Sequence, residues 1–524
     1  MTALPLESYL AGRWSRGEGV ETVLVDPVTG AELATASAKG LDLKGALDFA
    51  RKHGQAALRG MTYAERAKLV GAVADTLIAN RAHYEEIAIA NSGNTKADAA
   101  IDIDGGIGTL KYYARLGAGL GEARMLIDQK PVRLAKAENF QAIHLMIPRR
   151  GVAVHINAFN FPSWGLWEKA AVSLIAGVPV LAKPASATAL LAHAMVRDVI
   201  VAKVLPDGAL SLLCGGAANL LDAVTSDDVI AFTGSADTAA RVRGHANVVA
   251  KSVPVNIEAD SINAALLAPD AAVGSAMFDA FVREVVREMT VKAGQKCTAI
   301  RRIFVPAERA DAVAEALKAK LSAVKVGDPR QEDVRMGPLV TRAQQTAAFE
   351  GIRRLAAEAA LVCGGADAPT IDGIDRSRSA FAAPTLLKLK DTGGARAVHE
   401  VEVFGPAATI VPYRDEADAC TLVARGGGSL VASVFGEDQA FLARIVSEIG
   451  PSHGRLLMVD PSIATAHTGH GIVMPQCNHG GPGRAGNGEE LGGLFGLRLY
   501  HQRLAVQGST DLLASLQAKA ASLH

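Results

Sequence analysis

The sequence predicts an α/β fold with two parallel-sheet domains, and three observations carry that prediction. From about residue 142, short β-rich runs alternate with helical ones. A second alternating set runs from about 263 to 460. At 524 residues the chain is also long enough for more than one core. Strands alternating with helices in units of this length form parallel sheets with helices on both faces. Two such layers in succession place the chemistry in the cleft between them, at strand carboxyl ends.

Residues 41–125 read as helices. Ala46, Leu47, Phe49 and Ala50 begin one amphipathic pattern; a longer one follows Thr62, a capping residue type, through Leu69, Val70, Val73, Leu77 and Ile78. Strands are expected at 152–156, 178–182, 210–213, 229–232 and 253–257, and helices at 164–176, 187–204 and from Ser235 onward. In the second set, helices are expected at 277–289 and 309–324, with strands at 300–305, 430–434 and 455–459. Short segments between 126 and 148, and again after 493, have the character of pairing strands. The glycine-dense 479–496 stretch reads as a turn-rich loop.

Composition narrows the partners. Lys+Arg and Asp+Glu number 54 each, so no overall field draws the chain to nucleic acid or an anionic membrane. The tandem pairs Arg149-Arg150, Arg301-Arg302 and Arg353-Arg354 are scattered, and their default reading is solvated charge or salt bridges. Five dispersed cysteines with no CxxC do not make a disulfide framework, which points to a reducing, cytoplasmic setting. The N-terminus lacks the basic-then-apolar run of a signal peptide, and no apolar run reaches the roughly 20 residues needed to span a bilayer.

Chemistry concentrates in Gly294-Gln295-Lys296-Cys297-Thr298-Ala299, where a cysteine follows a glycine turn, and in Val255-Asn256-Ile257-Glu258. A thiolate and a carboxylate brought together from separate strand ends suit acyl transfer. The thiolate attacks a carbonyl, and the carboxylate activates water against the thioester. A free thiol is only a few per cent ionised near neutral pH, so such a site is expected to raise that fraction. Taken alone, a cysteine is more often a small buried apolar residue.

The G-x-G-x-x-G dinucleotide pattern is absent. Two strand-to-helix turns stand in its place, Cys214-Gly215-Gly216 and Phe232-Thr233-Gly234-Ser235. The amides of the helix opened by Ser235 either hold a phosphate or belong to a simply capped helix. Lys183, in Lys183-Pro184-Ala185-Ser186, is either a ligand for a ribose hydroxyl or phosphate at a strand carboxyl end, or a surface lysine.

Taken in order, these pieces resemble the aldehyde dehydrogenase superfamily. Asn157-Ala158-Phe159-Asn160-Phe161-Pro162 is similar to its asparagine-phenylalanine-proline motif. Lys169, the Lys183 turn, Phe232-Thr233-Gly234-Ser235, Glu258, Cys297 and Glu402-Val403-Phe404-Gly405-Pro406 follow at compatible spacings over residues 10–505. The resemblance implies two Rossmann-like domains plus a small β oligomerisation element. The NAD(P)-binding domain is expected at 1–130 and 150–262, the catalytic domain at 263–475, and oligomerisation strands at 131–149 and 485–506, in a homodimer or dimer of dimers. It further implies Cys297 as nucleophile, Asn160 as oxyanion donor, Glu258 as hydrolytic base and Lys169 in the relay or structural set around that base. Lys183 and Glu402 would bind ribose hydroxyls, Ser235 and the Gly216 and Gly234 turns would receive phosphate, and Phe232 and Phe404 would flank the cofactor.

Two departures from the family pattern matter. Glu258 is followed by Ala259-Asp260 rather than by a leucine-glycine-glycine run. Where NAD-selective members carry a glutamate three residues after the turn lysine, this chain has Ser186. A carboxylate there would repel a 2′-phosphate by roughly 4 kcal/mol per unit charge pair at about 4 Å and an effective dielectric near 20. Serine removes that penalty, so NADP is expected over NAD.

The run from Met474 to Gly493, containing Cys477-Asn478-His479-Gly480-Gly481-Pro482-Gly483-Arg484-Ala485, is similar to a family branch of aromatic degradation. That branch also forms the dehydrogenase half of a bifunctional phenylacetate ring-opening protein, and this sequence leaves no length for the companion hydratase-like domain. The resemblance implies a CoA-linked aldehyde as substrate, 3,4-dehydroadipyl-CoA semialdehyde of benzoate degradation. His479 and Arg484 are then expected to line the substrate tunnel. The alternatives are a general aliphatic or aromatic aldehyde dehydrogenase, or a catalytically silent relative. A CoA-acylating enzyme is disfavoured by Glu258. His467, His470, Cys477 and His479 fit no zinc spacing, so no metal is expected.

Overall fold

The computed structural model describes residues 3–217 and 219–523. Its first sheet has seven strands in the order Val255–Glu258, Val229–Thr233, Ala153–Ile156, Val180–Lys183, Leu210–Leu212, Ser8–Leu10 and Arg13–Ser15. The first five are parallel, and the N-terminal pair joins antiparallel through Tyr9 opposite Leu212. Chain order reverses between Ala153–Ile156 and Val229–Thr233, which opens a crevice at their carboxyl ends. Successive residues on a strand face opposite layers. Val180 and Ala182 pack with helices Tyr63–Ala79, Lys96–Gly119 and Trp164–Ala176, while Leu181 packs with Leu43–Phe49 and Ala236–Arg243.

The second sheet runs in the order Ala359–Cys363, Thr385–Leu389, Ala407–Tyr413, Ile300–Pro306, Asn263–Leu267, Ser429–Phe435 and His453–Val459. All are parallel except the Ala359–Cys363 edge. Helices Ala276–Thr290 and Ala310–Ser322 cover one face; Arg342–Ala356, Glu416–Ala424 and Gln439–Ile449 cover the other.

A third sheet pairs His501–Ser509 with Phe140–Pro148 over nine residues and adds Met125–Ile127, Val132–Arg133 and Ala520–Ser522. Residues 485–500 lie outside it: Gly488–Leu491 pairs with Asn478–Gly481, and Gly493–Tyr500 forms 3-10 turns. No helix among the described residues is long and apolar enough to cross a membrane.

Local signals account for several boundaries. Thr62 and Glu65 form a reciprocal capping box at the start of Tyr63–Ala79, and Ser235 caps Ala236–Arg243 through the Thr238 amide. Asp228 is fully buried at the amino ends of two central strands, accepting the amides of Val152 and Thr225 at 2.7 Å each and an ion pair from Arg51.

Candidate active site

The first sheet delivers one wall from its strand carboxyl ends. Ala153–Ile156 runs into the loop carrying Asn157 and Asn160, Val229–Thr233 ends at Thr233, and Val255–Glu258 ends at Glu258. Helix Trp164–Ala176 starts beside this loop because buried Asp102 accepts the Trp164 amide at 2.8 Å. Its first turns present Gly165, Glu168 and Lys169 to the same space.

The second wall departs from expectation. Cys297 precedes the strand Ile300–Pro306, and Glu402 and Phe404 precede Ala407–Tyr413. The carboxyl ends of the first sheet therefore face the amino ends of the second. A cysteine placed before a strand needs a shaped approach, and Lys292, Ala293 and Gly294 provide it with successive left-handed φ values of 52°, 52° and 68°. Two non-glycine residues in that region cost about 1–2 kcal/mol each, so the segment must be held from outside. Asp98 accepts the Lys292 amide at 2.9 Å, Gln295 accepts the Val340 amide at 3.0 Å, and Lys296 pairs with Glu288 at 2.7 Å. A Cβ on Gly294 would lie 2.3 Å from the Gly405 carbonyl oxygen, so the two loops meet only through glycine.

Arg301 donates to the carbonyls of Gly294, Lys296 and Gly405 at 2.7–3.2 Å, tying the cysteine loop to the Glu402–Phe404 loop. Arg302 donates to Ile262, Leu422 and Val423 carbonyls at 3.1 Å each. Both guanidinium groups are buried. The solvated or salt-bridged reading of this arginine pair is thus corrected: both are buried among backbone carbonyls, near and far in sequence, and Arg302 also meets the His399 ring nitrogen at 3.1 Å.

Two cavities meet at the thiol. The larger, about 400 Å³, is lined by Phe159, Lys183, Phe232, Gly234, Ser235, Glu402 and Phe404 among others. The narrower, about 50 Å³, is lined by Phe161, Trp164, Glu168, Lys169, Val473 and His479 among others. Asn157, Asn160, Glu258 and Cys297 border both. Phe404 stacks edge-to-face on Phe159, with ring centroids 5.6 Å apart, along the wall of the larger cavity.

Charge in the centre is tightly paired. His479 Nε2 lies 3.1 Å from Glu258 Oε1, with both side chains buried. Burial pushes the Glu258 carboxyl up, but the adjacent imidazolium, aided by Lys169, overrides it and pulls the group down to about 2. Burial likewise pushes His479 down, and Glu258 more than reverses this, holding the imidazole at about 9. Lys169 Nζ reaches Glu168 at 3.3 Å and Glu490 at 3.0 Å. Burial raises Glu168 to about 7 against the pull of Lys169, and raises Glu402 to about 7 against Arg301. The Cys297 thiol is pushed well above its ordinary value by burial and by the Glu258 charge. In the free protein the site therefore favours the protonated thiol, the reverse of the expected enrichment in thiolate.

Among the sequence-predicted residues, Cys297, Glu258, Asn160 and Lys169 converge at this junction, and Lys183, Phe232, Gly234, Ser235, Glu402 and Phe404 line the larger cavity. Ser186 and Gly216 are not among its lining residues: Ser186 Oγ donates to Gly215 O at 3.3 Å, and the Gly216 amide donates to Glu21. Arg484 is corrected. It is absent from the tunnel wall and clamps the carbonyls of His399 and Glu400 at 3.2 and 2.9 Å. The histidine-cysteine set of the glycine-rich segment disperses, with His470 against Ser433 and Cys477 exposed. One oxygen of Glu258, the sulfur of Cys297 and one nitrogen of His479 instead lie within 4.8 Å of one another.

Sequence reasoning missed Glu168, Glu490 and Thr233. The hydroxyl of Thr233 donates to Glu258 at 3.3 Å. Glu168 adjoins Lys169 in sequence, and Glu490 stands in the quoted C-terminal motif. An acidic residue beside a buried lysine was the available signal.

The comparisons agree with this geometry. A model of the aldehyde dehydrogenase family matches residues 14–502. A 3,4-dehydroadipyl-CoA semialdehyde dehydrogenase from Aromatoleum evansii is 55% identical over 480 residues, 91% of this chain and 93% of that protein. A betaine aldehyde dehydrogenase from Cereibacter sphaeroides is 27% identical, covering 86% and 88% of the two chains. The solved betaine aldehyde dehydrogenase of Staphylococcus aureus with NAD+ superposes with a TM-score of 0.82 at 22% identity, over 97% of this chain and 95% of that one, a likeness of fold. The chain belongs to the aldehyde dehydrogenase family and carries out NAD(P)-dependent oxidation of aldehydes.

Proposed function

We propose that this enzyme oxidises a CoA-linked semialdehyde, 3,4-dehydroadipyl-CoA semialdehyde, to the corresponding acid, with NADP preferred. The observation that carries the chemistry is the position of Cys297 where the wide and narrow cavities meet, beside Glu258. The substrate reading is supported by the Aromatoleum evansii relative, and the NADP reading by Ser186 in place of a carboxylate. The wide cavity offers what a dinucleotide needs: a helix amino terminus at Ser235, the Lys183 ammonium, the half-buried Glu402 carboxyl and the Phe404 ring.

Cys297 Sγ adds to the aldehyde carbon, and its proton passes to the Glu258 carboxylate, one oxygen of which lies within 4.8 Å of the sulfur. The Asn160 amide and the Cys297 N–H receive the oxyanion of the thiohemiacetal; such donors contribute on the order of 3 kcal/mol each. When bound, NADP supplies the hydride acceptor. With the cofactor in place, Cys297 would hold the acyl group as a thioester once the thiohemiacetal carbon has given up its hydride. Glu258 releases the thiol proton to solvent and, ionised again, removes a proton from water as the oxygen attacks the thioester carbon. The C–S bond breaks, the acid departs, and the proton on Glu258 passes to the thiolate, restoring both thiol and carboxylate. His479 holds Glu258 as the carboxylate, and Lys169 with Glu490 fixes the charge behind it. This route is hydrolytic rather than CoA-acylating because a carboxylate faces the acyl position.

The NAD(P)-binding domain is assigned to 1–130 and 150–262 and the catalytic domain to 263–475. The homodimer is assigned to the third sheet, where His501–Ser509 forms an edge and Val132, Leu134, Phe140 and Leu512 are exposed apolar residues. The deciding assay follows NADPH formation with the CoA-linked semialdehyde, beside simple aldehydes and beside NAD. Strong turnover of the CoA substrate with NADP is expected. Equal turnover of simple aldehydes removes the substrate reading, and an NAD efficiency equal to or above that of NADP removes the cofactor reading.

A further inference from the structure

Two chemically distinct groups of residues line the wide cavity. Cys297, Glu402 and Phe404 come from loops of the second sheet, and Lys183 and Ala185 from the carboxyl end of Val180–Lys183 in the first. A dinucleotide whose hydride-accepting ring reaches Cys297 leaves its adenosine ribose near Lys183. There the carboxyl ends of adjacent parallel strands, Val180–Lys183 and Leu210–Leu212, bring Lys183, Ser186 and Gly216 together. A residue from far earlier in the chain joins them. Glu21 lies in the bend before the strand Thr22–Val25, and its Oε2 accepts the amides of Ala38 at 2.6 Å and Gly216 at 3.0 Å. The approach depends on glycine, since a Cβ on Gly215 (φ 114°) would lie 2.4 Å from the Ala38 nitrogen.

Two backbone amides converging on one oxygen, with an ammonium behind them, make an anion cradle. Those two amides and the Lys183 charge hold the Glu21 carboxyl below its ordinary value, although the residue is exposed. A 2′-phosphate seeks the same donors, with the Ser186 hydroxyl as a further one. Only one anion fits, and a carboxylate left in place repels the newcomer. A 2′-hydroxyl, by contrast, is neutral and donates to a carboxylate.

We propose that Glu21 occupies the 2′-phosphate cradle in the free protein and sets the cofactor ratio as the anion that NADP must displace. This rests on the reading of the wide cavity as the dinucleotide site. Glu21 is then a specificity-determining residue that lowers NADP affinity without opposing NAD, and it retains some NAD use in an enzyme whose Ser186 favours the phosphorylated cofactor.

The test is direct binding rather than turnover: calorimetric titration of the full chain with 2′,5′-ADP and with 5′-AMP, for the natural protein and for Glu21→Ala and Glu21→Gln. Because Glu21 is exposed and solvent screens its charge, removing it at about 4 Å is expected to tighten 2′,5′-ADP on the order of tenfold, with 5′-AMP changed less than about twofold. Unchanged or weakened 2′,5′-ADP binding in both variants, with melting temperatures preserved, overturns the proposal. So does equal tightening of both nucleotides, because the effect would then not involve the 2′ position. The NADP reading fails separately, when the natural enzyme uses NAD as efficiently as NADP. Glu21→Ala can still gain 2′,5′-ADP affinity in that case, and the proposal stands.

Discussion

Replacing His479 by glutamine removes the one imidazolium that touches Glu258. Moving an imidazole from an ordinary value of about 6.5 to about 9 corresponds to about 3 kcal/mol of interaction. The depression of Glu258 to about 2 reports the same contact from the other side, so the two are not added. Without the partner, burial dominates, and Glu258 is expected to rise to or above the ordinary carboxyl value of about 4.3. The pH dependence of kcat for His479→Gln should then gain an acid limb between about pH 4.5 and 6.5, where the natural enzyme has none from this group. Turnover near pH 8 should persist, since a carboxylate with a higher pKa is the stronger base. A side chain that merely lines the substrate tunnel would instead raise KM and leave the shape of the profile alone. Superimposable kcat profiles would refute the ion-pair argument. Stability supplies a second check with a definite sign. The folded value of His479 lies above its unfolded one, so the stabilisation is complete below about pH 6.5 and is lost as pH rises through about 9. The difference in melting temperature between the natural enzyme and His479→Gln should shrink accordingly; a constant difference contradicts it.

Cys297→Ala should abolish aldehyde oxidation while leaving cofactor binding intact, and residual steady-state turnover would exclude the thiol as nucleophile. Glu258→Gln removes both the acceptor of the thiol proton and the base that activates water, so NADPH formation should be slow in the first turnover as well as in the steady state; normal steady-state turnover would count against the base assignment. Ser186→Glu should move the NAD/NADP efficiency ratio toward NAD by at least tenfold, the effect of about 1.4 kcal/mol of charge repulsion, and an unchanged ratio would sink the phosphate argument. Asp228→Ala should cost about 3–5 kcal/mol, because it leaves the Val152 and Thr225 amides and the Arg51 charge without their buried partner. Denaturant unfolding checks this, and a cost below about 1 kcal/mol would refute it.

Much of the fold was legible because its signals are local. Helix Trp164–Ala176 has the predicted limits, and each expected strand of the first sheet appears within a few residues. The strands Ser8–Leu10 and Arg13–Ser15 were not, since three residues carry too little pattern and Tyr9 finds its partner at Leu212. Charged residues were the hardest to place. The sequence separates Arg301 from Gly405 and Glu21 from Gly216 by long intervals, and nothing local says that a guanidinium will be spent on carbonyls or a carboxylate on amides. Arg484 illustrates the converse, for its motif neighbours His479 and Glu490 enter the buried centre while its own side chain turns to the 399–400 backbone.

The buried centre also explains how three carboxyl groups coexist. Oxygens of Glu168, Glu258 and Glu490 lie within 4.8 Å of one another, where three full negative charges would be mutually destabilising. Two cations answer them, Lys169 between Glu168 and Glu490, and His479 against Glu258. With Glu168 raised to about 7, it takes up a proton as pH falls through neutrality. Glu258, pulled down to about 2, keeps its charge. The difference has a chemical consequence at Cys297. A dependable negative charge lies beside the thiol, so the nucleophile stays protonated until its proton can pass to Glu258. Thiol deprotonation and carbonyl attack are thereby coupled through a single oxygen atom, and a resting enzyme exposes little free thiolate to stray electrophiles.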